Sequence, residues 1–176
     1  MKLLKAAGTV GFMTLLSRIS GFARDMVTAA FLGAGPVADA FFVALKLPNF
    51  FRKLTAEGAF SVSFVPLFSG LLEKESKENA IRFAEAAQAM MFCIMVPFTI
   101  LMIIGMPWVL YGVAPGFHDD PVRYEMALEM SRITFPYILL MSLTALMGGV
   151  LNSFNRFGPF AVASVFFNLT LMGAIY

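Results

Sequence analysis

One cysteine, one histidine and one tryptophan occur in 176 residues. With Cys93 alone, neither an intrachain disulfide nor a cysteine-based metal cluster can form. It lies in a charge-free run and reads as a small apolar side chain. His118 also stands alone, in an expected loop, which argues against a histidine metal site. Charge is scarce: Asp, Glu, Lys and Arg make up 14% of the chain, against about 25% in a soluble domain. No Ser/His/Asp set, phosphate-cradling glycine loop or HExxH run is present. An enzyme reading therefore lacks a nucleophile and a general base, and no cofactor is expected. There is no low-complexity segment and no solenoid repeat, and nucleic acid is not among the expected partners.

The remainder is apolar. Hydrophobic residues make up 59% of the chain, including twenty Phe and thirteen Met, and the mean hydropathy is +0.80. That composition is membrane-grade. A span takes roughly 20 mainly apolar residues, and five segments qualify: 6–32, 37–72, 80–111, 123–151 and 159–176. The expected fold is all-α, a polytopic transmembrane helix bundle. Lys2 and Lys5 ahead of an apolar run mimic a signal peptide, but Arg18 follows where a cleavage site would be needed, so the run reads as a retained first span. Gly33-Ala34-Gly35-Pro36 reads as a tight turn. Pro48 is expected to interrupt the second segment, with another break near Gly58 or Pro66, and Phe135-Pro136-Tyr137 is expected to kink the fourth. The fifth segment is still apolar at Tyr176, the pattern of a helix cut short, so the chain is expected to be part of something longer. Ser17 and Gly21, Ala29 and Gly33, and Ala145 and Gly149 are small residues four apart, a weak sign of close helix contacts.

Loop charges give an orientation. The N-terminus carries Lys2 and Lys5, the second connection Lys74 and Lys77, and the fourth Arg156. The first connection has no charge, and APGFHDDP has two Asp. Lys and Arg collect on the cytoplasmic side, so a cytoplasmic N-terminus is expected. Trp108 and Tyr111 fit an outer aromatic belt.

Against this background residues 17–57 stand out, because charges recur at membrane depth. Residues 1–60 hold seven Lys and Arg against three Asp and Glu, whereas residues 61–176 hold six against eight. A charge at a bilayer centre costs roughly 2.5–3.5 kcal/mol on insertion scales, so such groups face a cavity or one another. On a helix, Ser17, Gly21 and Arg24 share one face, with Arg18 and Asp25 on an adjoining one. Asp39, Lys46, Lys53 and Glu57 share a face of the second segment, with Asn49 beside it and Arg52 further round. Plainer readings exist for each. Arg18 can snorkel, Arg24 and Asp25 can form a local pair, Asp39 can cap a helix, and Lys53 with Glu57 can solvate a helix end. The conjunction leaves positive charge uncompensated, and arginine binds phosphate oxygens bidentately without ever deprotonating. A buried anion site is the expectation.

Ser17-Arg18, Gly21-Phe22-Ala23-Arg24-Asp25, Asp39-Ala40-Phe41-Phe42-Val43-Ala44, Lys46-Leu47-Pro48-Asn49 and Ala56-Glu57-Gly58-Ala59-Phe60 carry a resemblance. So do Ala114-Pro115-Gly116-Phe117 and Thr134-Phe135-Pro136-Tyr137. With these runs the chain resembles the MurJ (MviN) family of lipid II flippases, in the multidrug/oligosaccharidyl-lipid/polysaccharide exporter superfamily. The resemblance implies part of the first lobe of a two-lobed, MATE-like transporter of about fourteen helices, in the bacterial cytoplasmic membrane. It also implies movement of lipid II from the cytoplasmic to the outer leaflet by alternating access. By the same resemblance Arg18, Arg24 and Arg52 are the cavity arginines for the diphosphate. Asp25, Asp39, Lys46, Asn49 and Glu57 are their partners or gate residues. The implied partners are lipid II, membrane lipids and the remaining helices of a longer protein. A drug or cation antiporter would call for an acidic or aromatic site, an enzyme acting on a lipid diphosphate for a metal motif, and a scaffold for dispensable arginines.

Overall fold

The computed structural model describes residues 2–53, 61–154, 156 and 158–175. Among them the secondary structure is helical: α1 (Lys2–Leu32), α2 (Pro36–Arg52), α3 (Ser61–Lys74), α4 (Lys77–Ile104), α5 (Met106–Val113), α6 (Pro121–Thr134), α7 (Tyr137–Ser153) and α8 (Gly158–Ile175). A 3-10 turn, Pro115–Phe117, joins α5 to α6. The chain forms two compact units, one of residues 1–34 with 151–176 and one of residues 35–150.

The helix boundaries follow local chemistry. Between α1 and α2 Gly33 takes φ +62°, a left-handed conformation that costs a side-chain-bearing residue roughly 1–2 kcal/mol. Pro36 then opens α2, where its missing N–H would have had no partner. Ser76 caps α4 by accepting from the Asn79 N–H at 3.2 Å, and Asp120 caps α6 by accepting from the Arg123 N–H at 3.1 Å.

In the first unit α1 packs on α8. In the second, α2 lies along α6 and α3 along α4. The buried residues of α4 are Ala80, Ala84, Ala87, Met91, Met95, Thr99 and Met102, one stripe at three- and four-residue spacing. The main cluster joins Ala40 and Leu47 of α2 to Met102, Met106, Leu110, Ala127, Phe135 and Ile138. Small side chains let α2 and α6 approach closely, which is how helices gain contact where lipid is as apolar as the core. Of the small-residue pairs, Gly149 meets α3, since a Cβ there would lie 3.2 Å from Val65 Cγ2. Ala29 and Gly33 are exposed.

Two expected features are corrected. Pro48 does not end the second segment, because α2 runs through it to Arg52. Of the two positions expected for a further break or bend, Pro66 lies inside α3 and Gly58 lies outside the described residues. The third segment is not one helix to Tyr111: it is divided at Gly105, where Pro107 cannot donate to the carbonyl four residues back. Phe135-Pro136 does separate α6 from α7. Among the described residues two helices are long and apolar enough to cross a membrane: Lys77–Ile104, and residues 121–153 taken through that break.

Candidate functional site

In the first unit the half-buried face of α1 carries Ser17, Gly21 and Arg24, continuing to buried Thr28. One helix face holds all four, and it turns onto α8. There Asn168 is 6% exposed, a lone amide in an apolar run. Its Oδ1 accepts from Arg24 Nη1 at 3.1 Å. Its Nδ2 donates to Ser20 Oγ at 3.0 Å and to the Ser17 carbonyl at 3.4 Å. Arg24 also donates from Nε at 3.1 Å and from Nη2 at 2.7 Å to Asp25 Oδ1. A guanidinium has five N–H groups, so donors on Nη1 and Nη2 remain for a ligand. Arg18 lies on the exposed side of α1, with no hydrogen bond or ion pair among the described residues.

The second unit holds the other candidates. The buried residues Ala40, Ala44 and Leu47 turn one face of α2 toward α6. Asp39, Lys46 and Lys53 are exposed on another face, with Asn49 half-buried beside them. Arg52 is half-buried further round the helix. Glu57 lies outside the described residues. The Asp39 carboxylate does not cap α2: its Oδ2 lies 3.3 Å from Arg123 Nη1 on α6. Arg123 in turn lies 3.5 Å from Asp120 and over the Phe117 ring, 5.8 Å from its centroid. Next to this ion triad the His118 ring sits between Tyr111 and Tyr124, at centroid distances of 4.3 and 5.0 Å.

Asn49 donates from Nδ2 to the Leu45 carbonyl at 2.8 Å, within its own helix. Among the described residues the structure therefore joins Arg24 to Asp25 and Asp39 to Arg123. It distributes the candidates over two units, with Arg18, Arg24 and Asp25 in one and Asp39, Lys46, Asn49 and Arg52 in the other. Sequence reasoning missed Asn168 and Arg123 as partners. An amide within FFNLTLMG is a usable signal, because buried polar groups in apolar helices need partners. Arg123 gives no such signal, since it sits at a helix start where a charge is ordinary.

These features define a class first: a helical membrane protein with cationic side chains set into long apolar helices. The profile of the family described as "Lipid II flippase MurJ" matches residues 28–176. The chain belongs to that family. It is 44% identical over its full length to a probable lipid II flippase MurJ of Rhizobium tropici. It is 45% identical over 99% of its length to one of Rhizobium meliloti. A lipid II flippase MurJ of Burkholderia cenocepacia is 38% identical over 99% of the chain. The matched region is 33–34% of each relative, so the chain spans about a third of the length of the curated relatives it matches.

Proposed function

We propose that this chain is part of a flippase that carries lipid II from the cytoplasmic to the outer leaflet of the bacterial cytoplasmic membrane, with its N-terminus in the cytoplasm. The whole protein works by alternating access, one lobe rocking against the other around the head group. It transports its substrate and makes or breaks no bond in it. Arg18, Arg24 and Arg52 hold the diphosphate. Asp25, Asp39, Lys46, Asn49 and Glu57 orient them or take part in gating.

The observation that supports this most is Arg24. Its guanidinium is half-buried on an apolar helix and fixed on two sides by Asp25 and Asn168. It keeps outward donors, and Arg18 stands one face away. Two cations against one carboxylate leave net positive charge, and a diphosphate supplies the missing anion. Charge-assisted bonds from arginine to phosphate are roughly twice as strong as neutral ones.

The test uses the full-length protein in cells depleted of their own flippase. Arg18→Ala, Arg24→Ala and Arg52→Ala are made singly, membrane abundance is measured, and growth is scored. Normal abundance with lost growth is the expected result. Normal abundance with normal growth would overturn the assignment of these arginines.

A further inference from the structure

Pro48 sits inside α2 and has no N–H, so the Ala44 carbonyl four residues earlier loses its helical donor. In an apolar surrounding a carbonyl left without a donor is destabilising. The structure meets it from a neighbouring helix: Thr134 Oγ1, in the last turn of α6, lies 3.0 Å from the Ala44 oxygen, nearer than the 3.3 Å to the Ser131 carbonyl of its own helix, which already accepts from the Phe135 N–H at 2.9 Å. The same turn repeats the device on α4. Pro107 leaves the Ile103 carbonyl without its helical donor, and Arg132 Nε lies 3.3 Å from it. A third proline, Pro136, ends α6 just beyond. The adjoining Phe135 is fully buried and packs edge-on against Phe51, one turn past Pro48, at 5.9 Å between centroids.

We infer that Thr134 is a positioning residue for the anion site. By supplying the donor that Pro48 lacks, it fixes the direction in which α2 continues beyond the proline. It thereby sets where Asn49, Arg52 and Lys53 point relative to Asp39 and Lys46. Neighbouring Ser and Thr hydroxyls are among the groups that make proline tolerable within membrane helices. Here the hydroxyl lies on a different helix, so the α2 direction is tied to α6. The inference rests on the flippase reading for its consequence, but its geometric part can be tested separately.

The experiment takes the full-length protein in a Cys93→Ser background, with spin labels at positions 53 and 129, both exposed in this unit. The distance distribution is measured for Thr134→Ser, Thr134→Val, Pro48→Ala and the Pro48→Ala/Thr134→Val double variant, and each is scored unlabelled for growth. Thr134→Ser keeps one population and normal growth. Thr134→Val keeps the side-chain volume, loses the hydroxyl and gains a second population together with a growth defect at normal abundance. Pro48→Ala restores the backbone donor to Ala44, so adding Thr134→Val to it changes nothing further. An unchanged distribution for Thr134→Val, or additive effects in the double variant, would overturn the inference. A shifted distribution with normal growth would retain the brace and remove its link to transport. Normal growth of Arg52→Ala would count against the anion site alone.

Discussion

Asp39 lies in the first turn of α2, where a carboxylate ordinarily serves its own helix end, yet it pairs with Arg123 of α6. Arg123 serves two carboxylates, and its loss leaves Asp39 and Asp120 without their shared cation. Both partners of the long-range pair are a third to a half exposed, so the pair contributes about 0.2–1 kcal/mol. Arg123→Ala is therefore expected to lower the midpoint of thermal unfolding more than Asp39→Asn does. A Asp39→Arg/Arg123→Asp exchange should not recover wild-type stability, because it places a carboxylate at position 123 beside Asp120. Full recovery in thermal unfolding of the detergent-solubilised protein would mean that Asp120 takes no part. At this scale the sequence was partly legible. The faces of α1 follow from helical period alone, and the half-buried Ser17, Gly21 and Arg24 and exposed Arg18 and Asp25 lie where the period puts them. The partners came from distant positions, Asn168 and Arg123, which no local pattern brings together.

Between elements, the prolines show why local rules fell short. Read alone, Pro48 and Pro66 are helix breakers, and Pro107 passes unnoticed among apolar neighbours. In the folded chain the outcome depends on what stands opposite the orphaned carbonyl. Thr134 faces the carbonyl left by Pro48, and α2 continues; ahead of Pro107 the helix breaks at Gly105, and Arg132 binds the freed oxygen. The clamp depends on the apolar joint beside it, where Phe135 touches Phe51 and Phe98 at 5.9 and 6.1 Å between ring centroids. Truncating a fully buried Phe leaves a cavity that the surroundings only partly fill, at a cost of about 3–5 kcal/mol. Phe135→Ala should accordingly reduce stability more than Phe50→Ala, whose ring is 63% exposed. Equal losses in unfolding measurements on the two variants would show that the joint does not bear on the fold.

At the scale of the whole molecule, α4 tests the topology best, because one helix connects two loops of opposite character. Its 28 residues extend about 42 Å at 1.5 Å per residue, more than the roughly 30 Å of hydrocarbon. Polar ends are therefore expected to protrude. Glu78 and Arg82 pair at 2.9 Å near the start, and no charged residue follows Glu85 until Asp119. Past the far end, Trp108 and Tyr111 are 75% and 66% exposed, as rings at a membrane surface are. A cytoplasmic N-terminus puts residue 75 inside and residue 119 outside. In intact cells, with the full-length protein carrying Cys93→Ser, a membrane-impermeant thiol reagent should label Asp119→Cys and spare Glu75→Cys. The reverse pattern would invert the orientation, and labelling of both would mean that α4 does not cross the bilayer. Labelling of Asp119→Cys alone would also place the Asp39–Arg123–Asp120 triad at the outer surface. Its ion pairs would then weaken with external salt, whereas the Arg24–Asn168 contact, held at a buried amide, should respond far less.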